Sequence, residues 1–274
     1  MAELNDGEGA LAYGDSILVG ERVRLRGLRD DDLPSLARLE MDPGLLATLS
    51  NWVVPPSEAA AKERIAKWCA NDKDDMGFAI ETVDDPPILV GHIELSGART
   101  KDRCATIGIA LGREHIGRGY GTDAMRVIVD YAFREMGLHR IQLTVAPFNP
   151  AGIRAYEKAG FVEEGRHREA VWHDGRWYDE VMMSVLDHEW AARIKAESEG
   201  DLTIDGPTIA AHAFRAGLVD VVDVVVVPVM IGGGTSIWPD GVRLELRLLE
   251  ERRFSGGMVA LRYAAMPASG SSSP

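Results

Sequence analysis

From Glu21 onward, polar and apolar residues alternate through Arg22-Val23-Arg24-Leu25-Arg26, the period-two pattern of a strand with one wet face. Asp30-Asp31-Asp32 then sets helix-start acids before Leu33 to Leu39, so a helix is predicted there with the acids as its cap. A second amphipathic stretch, Ser57 to Cys69, opens on Pro55-Pro56-Ser57-Glu58, with Ser57 as cap. Phe78 to Thr82, Ile88 to Leu95 and Cys104 to Leu111 follow as strand-like runs separated by turn chemistry, Asp84-Asp85-Pro86-Pro87 and Gly97 to Arg103, and predict an antiparallel meander. A helical pattern from about Gly121 to Met136 and a strand at Ile141 to Val145 come next. Pro147-Phe148-Asn149-Pro150 breaks that strand. Asn149 is a natural cap, Pro150 suits the first helical position and Gly160 suits the exit, so this helix is short and sharply bounded. Phe161 to Val185 predicts a long hairpin, because Asp174-Gly175 sits between Val171-Trp172-His173 and Arg176-Trp177-Tyr178.

The pattern changes after Trp190. Residues 191–201 are polar, helix-friendly and Ser/Gly-ended, which predicts a linker between a domain at 16–190 and a smaller segment at 202–266. That segment has a helix-like Thr208 to Ala216, a β-branched run through Val221 to Val229, and strand patterns at Leu244 to Glu250 and Val259 to Tyr263. Residues 1–15 are acidic and rich in small residues and predict a flexible leader; residues 267–274 predict a disordered tail.

Composition narrows the class. The chain has 274 residues, 46% of them hydrophobic, enough for a real core in one large or two ordinary domains. A net charge of -13 argues against nucleic acid as a partner and favours a cationic ligand. No apolar span is long enough for a membrane, and the start lacks a basic and apolar signal segment, so the expected setting is cytoplasmic. Cys69 and Cys104 lie on separate predicted elements and make neither a disulfide framework nor a metal site, so no metal is expected.

The candidate chemistry centres on Glu114-His115-Ile116-Gly117-Arg118-Gly119-Tyr120-Gly121-Thr122, between the last meander strand and a helix. Three glycines at every second position let the backbone turn tightly and approach a ligand. The helix that follows offers N–H groups without internal partners and favours an anion by roughly 0.3 to 1 kcal/mol. No Lys-Ser/Thr pair closes the loop, which argues against a Walker loop. The stretch resembles the acetyl-CoA loop of the GNAT N-acetyltransferases, in particular the ribosomal-protein N-terminal acetyltransferase-like branch. Ile116 stands where that family commonly has Arg or Gln.

The resemblance covers about Glu21 to Trp190, with Asn149 and Tyr156-Glu157-Lys158-Ala159-Gly160-Phe161 as its second motif. It implies an α/β (α+β) fold with a mixed, mostly antiparallel central sheet flanked by helices. It also implies that acetyl-CoA rests on Ile116, Gly117, Arg118, Gly119, Tyr120, Gly121 and Thr122, with its pantetheine arm along Ile109, Ala110 and Leu111 and near Asn149. Tyr156 is implied as the acid that protonates the leaving thiolate, for which a phenol with a pKa near 10 is a better match than a carboxyl near 4. The region between the first two helices, with Trp52, and the hairpin with Trp172 are candidate walls for the acceptor amine. Many relatives carry a catalytic Glu at the place of Thr106. Glu94 on the preceding strand is therefore the first candidate base and His92 the second.

The 202–266 segment resembles the C-terminal part of the dihydrofolate reductase-like domain of riboflavin-biosynthesis deaminase-reductases. The matching marks are Gly206, Gly217-Leu218-Val219-Asp220, the glycine run Gly232-Gly233-Gly234, and Glu251-Arg252-Arg253-Phe254 before Gly256-Gly257. A glycine pair at the pyrophosphate of that family's nicotinamide cofactor reads here as Asp205-Gly206, and an acid there repels phosphate. The first half of the reductase fold has no counterpart. The apolar run needs a cover, for which the sequence leaves three options: a homodimer partner, the first domain, or a separately encoded reductase-like half.

Three functions follow. The first is acetyl transfer to a small-molecule or peptide amine. The second is a nicotinamide-dependent reductase or reductase-complementing subunit, and the third an acyl-CoA-binding regulator without turnover.

Overall fold

The computed structural model describes residues 7–49, 54–71, 75–99, 101–198, 200–201, 203–204, 207–229, 238 and 242–266. The chain divides into two units, Met1–Leu186 and Asp187–Pro274.

In the first unit, α1 (Gly7–Ser16), β1 (Val23–Arg26), α2 (Leu33–Glu40), α3 (Pro43–Leu49), α4 (Glu58–Trp68), β2 (Met76–Thr82), β3 (Leu89–Arg99) and β4 (Cys104–Leu111) lead to α5 (Tyr120–Arg134). Strand β5 (Arg140–Val145), α6 (Pro150–Lys158), β6 (Val162–His173) and β7 (Arg176–Leu186) complete it. The seven strands are ordered β1-β2-β3-β4-β5-β7-β6, with all pairs antiparallel except β4 and β5. This is the mixed, mostly antiparallel sheet that the family resemblance implies.

Period-two alternation assigns the faces. Phe78 meets Tyr131 of α5 edge-on, so Phe78, Ile80, Ile93 and Leu95 form the core under α5. Gly77, Ala79, His92 and Glu94 face the opposite side, where Cys69 at the end of α4 approaches Gly77 and Trp68 stacks on His92. Helices α2 and α4 cover that side through Leu36, Ala37, Ala61 and Ile65.

Two expectations change. The leader expected at 1–15 is helical from Gly7, and Tyr13 of that helix donates its hydroxyl to the Glu135 carboxylate, which ties α1 to the end of α5. The triple Asp caps the turn at 30–32, where the Asp32 carboxylate accepts from the Arg29 N–H, and serves as an ion-pair site besides. Asp32 makes no side-chain cap to α2; its oxygens accept from Arg26 Nη1 and Nη2 at 2.7 and 2.9 Å and from the Arg29 N–H at 2.8 Å. Glu81 joins Arg26 at 2.6 Å and Arg24 at 2.7 Å. Ser57 caps α4 as predicted, its Oγ accepting from Ala60 N.

The second unit holds α7 (Asp187–Glu197), α8 (Pro207–Arg215), β8 (Val221–Val226), β9 (Glu245–Arg253) and β10 (Val259–Met266), with β10 central in an antiparallel three-stranded sheet. Much of the stretch expected as a linker is therefore helix. Helix α7 is held by Lys195, which donates to Leu218 O at 2.8 Å and pairs with Asp220. Gly217 ends α8 in the left-handed conformation, with its own N–H and that of Leu218 returning to Phe214 O and Ala213 O. Gly257 with φ 83° turns the β9–β10 hairpin beside Phe254. Asp205, Gly206 and the Gly232–Gly234 run lie outside the described residues.

Candidate active site

The site is organised by a splay between β4 and β5. Their parallel pairing stops after Cys104↔Arg140, Ala105↔Ile141 and Thr106↔Gln142. On its other side β4 stays paired with β3 as far as Leu111↔Gly91, and Gly112 N donates to Val90 O at 3.0 Å. Bonded pairs alternate along an antiparallel ladder, so 90/112, 92/110 and 94/108 exchange hydrogen bonds. The N–H and C=O groups of Ile109 and Leu111 therefore point into the splay. Ala110, expected beside them, turns its backbone groups to His92 instead. A free edge of this kind suits an extended chain carrying amides.

At the open end of the splay the chain enters the glycine loop. Gly117 and Gly119 adopt φ of 81° and 87°, which side-chain-bearing residues rarely reach, and Gly119 is the N-cap of α5. The first bond back along this helix runs from Asp123 N to Gly119 O, so Tyr120, Gly121 and Thr122 present N–H groups ahead of it. A β-carbon on Gly121 would lie 3.2 Å from Leu111 Cδ1, which shows how closely the helix start approaches the free edge of β4. Ile116 is exposed and gives the loop no charge. Arg118 is exposed too; its carbonyl accepts from Arg22 Nη1 at 3.4 Å.

Arg22 was not a sequence candidate. Its side chain lies against Gly119, 3.4 Å from where a β-carbon would stand, and brings a cation to the loop from β1's leading edge. Asp123 is the anchor: its carboxylate accepts from Glu21, Arg22 and Val23 N–H at 3.2, 2.8 and 2.9 Å. An acid in a helix's first turn is ordinary, and only the fold shows that this one fixes β1 and with it Arg22.

Across β4, Glu94 is opposite Gly108 on one side and Gly77 on the other. The three atoms nearest a β-carbon built on Gly108 all belong to Glu94, with Oε1 at 3.0 Å, so the carboxylate leans over β4 just beyond the last pair with β5. Burial pushes its pKa up to about 7, helped by Glu40 and Asp75 and opposed by His92 and Arg64. His92 is buried on the same face, with Nε2 3.2 Å from Glu40 Oε1.

Helix α6 brings Asn149 and Tyr156. Asn149 Oδ1 accepts from Gly152 N at 2.9 Å, which leaves the amide NH₂ as the group it can offer a ligand. Tyr156 is half-buried, its ring 6.3 Å from that of Phe161, and burial raises its pKa, so the phenol is protonated at neutral pH. Arg126 of α5 donates to Lys158 O and ties the two helices. The hairpin tip packs on the β5–α6 loop through His173, stacked on Phe148 at 4.5 Å, and Trp172 stands exposed there against Trp177 at 5.0 Å. Trp52 lies outside the described residues. Among the described residues no group of His, Cys, Asp and Glu could hold a metal, and no helix is long and apolar enough to cross a membrane.

A mixed sheet splayed at one parallel pair, with a glycine cradle at a helix start, defines an acyl-CoA-binding acetyltransferase fold. The acetyltransferase (GNAT) domain model matches residues 22–162, and the chain belongs to that family. It is an acetyl-CoA-dependent N-acyltransferase, and the RibD C-terminal domain model matches residues 181–260 behind it. A spermidine N(1)-acetyltransferase of Vibrio cholerae is 30% identical over 176 residues, 64% of this chain and 99% of that protein. YdaF of Bacillus subtilis, assigned as a ribosomal N-acetyltransferase, is 30% identical over 177 residues, 63% of this chain and 95% of that one. The crystal structure of spermidine N-acetyltransferase from Vibrio cholerae with CoA and spermine superposes with a TM-score of 0.55 at 28% identity, covering 61% of this chain and 97% of that one.

Proposed function

We propose that the first unit transfers the acetyl group of acetyl-CoA to a primary amine, with Glu94 as general base and Tyr156 as general acid. The observation that carries this reading is the Glu94 carboxylate leaning over Gly108, with a pKa near the pH at which the enzyme must work. Thr106 cannot take a proton from an amine. Glu94 reaches the same face of β4 from the neighbouring strand and can.

The loop 116–122 supports the pyrophosphate on backbone N–H groups, with Arg22 and Arg118 adding charge. The free edge at Ile109 and Leu111 and the Asn149 amide support the pantetheine arm. Acetyl-CoA brings the activated acyl group; the chain's part is to strip a proton from the amine and return one to the sulfur. A phenol whose pKa is raised by burial holds its proton until a thiolate needs it.

For the acceptor, an acidic chain and relatives named for spermidine favour a small polyamine over a peptide N-terminus. Trp52 and Trp172 are its candidate walls. Release of CoA thiol from acetyl-CoA, followed across spermidine, spermine, aminoglycosides and peptides with free N-termini, tests this directly. Turnover with spermidine at least tenfold above the peptides is expected; the reverse order overturns the polyamine reading, and no turnover with any amine favours the non-catalytic regulator.

The second unit is read as structural. Val225 and Val226 on β8 stay 61% and 50% exposed, which suits cover by another sheet from a second copy or a reductase-like partner. A sedimentation mass of one chain counts against the second copy, and thermal stabilisation by NADPH but not by CoA would reinstate the reductase reading.

A further inference from the structure

Acetylating an ammonium removes two protons from its nitrogen, one before attack and one after the new C–N bond forms; the sulfur takes back one through Tyr156, so one net proton has to leave the site. A single carboxylate holds only one of them. The face of the sheet that carries Glu94 holds a second group able to take a proton.

Glu94 and His92 are two residues apart on β3 and share that face. Their cross-strand neighbours are Gly77, Gly108, Ala79 and Ala110, so both side chains lie on a floor with no larger side chain between them. Over this floor α2 and α4 lower Glu40, Arg64, Trp68 and Cys69. His92 is 4% exposed, stacks on Trp68 at 6.0 Å, and has its Nε2 3.2 Å from Glu40 Oε1. Glu40 is held in turn by Arg64, whose guanidinium lies over Trp68 at 5.4 Å. The other imidazole nitrogen, Nδ1, is buried with no hydrogen-bond partner. An acceptor left bare in this way costs roughly 1 to 3 kcal/mol, so its retention calls for a use.

We propose that Glu40 is a positioning residue that fixes His92 with its proton on Nε2, leaving Nδ1 as a second proton acceptor behind Glu94. This rests on the reading of Glu94 as the base. The first proton passes from the ammonium to the Glu94 carboxylate. It then moves on to His92, the Glu94 side chain turning from Gly108 to bring its O–H to Nδ1, which has no partner at rest; the Nδ1–H bond forms as the Glu94 O–H bond breaks, and Glu94 is ionised again for the second. The imidazolium sits against the Glu40 carboxylate, and no electrons change hands. The charged groups facing the pair are Glu40 from α2, Arg64 from α4 and Asp75 ahead of β2, together with the Cys69 thiol, whose pKa burial pushes up to about 12.

The direct test needs no variant. In ¹⁵N-histidine-labelled protein, His92 is expected as the Nε2-protonated tautomer while neutral; an Nδ1-protonated ring overturns the proposal. Kinetics supply the second measurement, with spermidine and the peptide amines as acceptors. Glu40→Gln and His92→Gln are each expected to lower kcat about tenfold with KM for acetyl-CoA unchanged, and to reduce a two-proton solvent deuterium inventory to one. Glu40→Asp should recover part of the rate. If both variants keep wild-type rates and inventory while Glu94→Gln is inactive, the second acceptor is wrong and the base stands. If Glu94→Gln is fully active, the base reading fails and this inference with it.

Discussion

Replacing Glu94 by Gln should make the protein more stable and the enzyme worse, in a pH-dependent way that follows from one carboxyl. Its pKa in the fold is about 7 against an ordinary 4.5, because burial penalises the charged form more than His92 and Arg64 relieve it. The folded state therefore binds this proton more tightly than the unfolded chain does. The group is neutral at no cost below pH 4.5, its charge begins to cost stability above that, and the full cost is reached above pH 7. The full shift corresponds to about 3 kcal/mol, and screening of the solvent-exposed part brings the expectation to about 1 to 3 kcal/mol. Urea unfolding of wild type and Glu94→Gln should thus nearly coincide at about pH 4 and separate by that amount at pH 8, with Gln the more stable. In kcat/KM the wild type should lose activity as pH falls through about 7. Glu94→Gln should lose on the order of a hundredfold at pH 8, together with that acid limb. A stability difference that is equal at both pH values would refute the buried-carboxyl argument. An acid limb that survives in the variant would refute the catalytic one.

Other substitutions probe the remaining parts. Tyr156→Phe should lower kcat on the order of a hundredfold while acetyl-CoA affinity, by calorimetry, changes less than about threefold; a large loss of affinity at unchanged kcat contradicts the acid role. Gly119→Val forces a β-branched residue to φ 87° and should abolish CoA binding in the same assay, with wild-type affinity refuting the cradle. Arg22→Ala should weaken CoA binding by about 0.3 to 1 kcal/mol at low salt and by less at high salt, and an effect that does not shrink with salt argues against a charge contact. Asp32→Asn removes the charge and puts an NH₂ in place of one of the two oxygens facing Arg26, which Glu81 still holds, and should lower the urea-derived stability at pH 7 by about 1 to 3 kcal/mol. The Asp32 pKa is lowered in the fold, with burial opposing the Arg26 pairing, so this contribution is present above the ordinary carboxyl pKa of 3.8 and is lost as pH falls through the lower folded value. An equal difference at pH 7 and pH 2.5 would contradict it.

What the sequence made legible was local. Asn149 before Pro150, Gly160 after Lys158, Ser57 before Glu58 and Asp174-Gly175 between two β-rich runs each set a boundary with chemistry contained in a few neighbouring residues, and each element lies where that chemistry puts it. The glycines at 117 and 119 could be read for the same reason, since positive φ is a property of one residue. The acids show the limit. Asp32 and Asp123 both stand in first turns, where a cap or a dipole partner is the local reading. Yet one is committed to Arg26 on the preceding strand and the other to three N–H groups of a segment a hundred residues away. A carboxylate's partner depends on what the fold brings to it, and no window of neighbouring residues contains that.

The same distinction bears on the proposal that Glu94 serves as the base in place of Thr106. What the chemistry fixes is a place above β4, one step beyond the point where it parts from β5. In an antiparallel ladder that place can be reached from β4 itself or from the opposite residue of β3, provided the position on β4 is left bare. Thr106 is the last β4 residue paired with β5, Gly108 has no side chain, and Glu94 is its partner in register. A bulky residue at 108 would meet the Glu94 carboxylate at 3.0 Å and displace it, so the glycine and the glutamate make sense only together. On that proposal the base and the bare strand beneath it form one feature, divided between two strands.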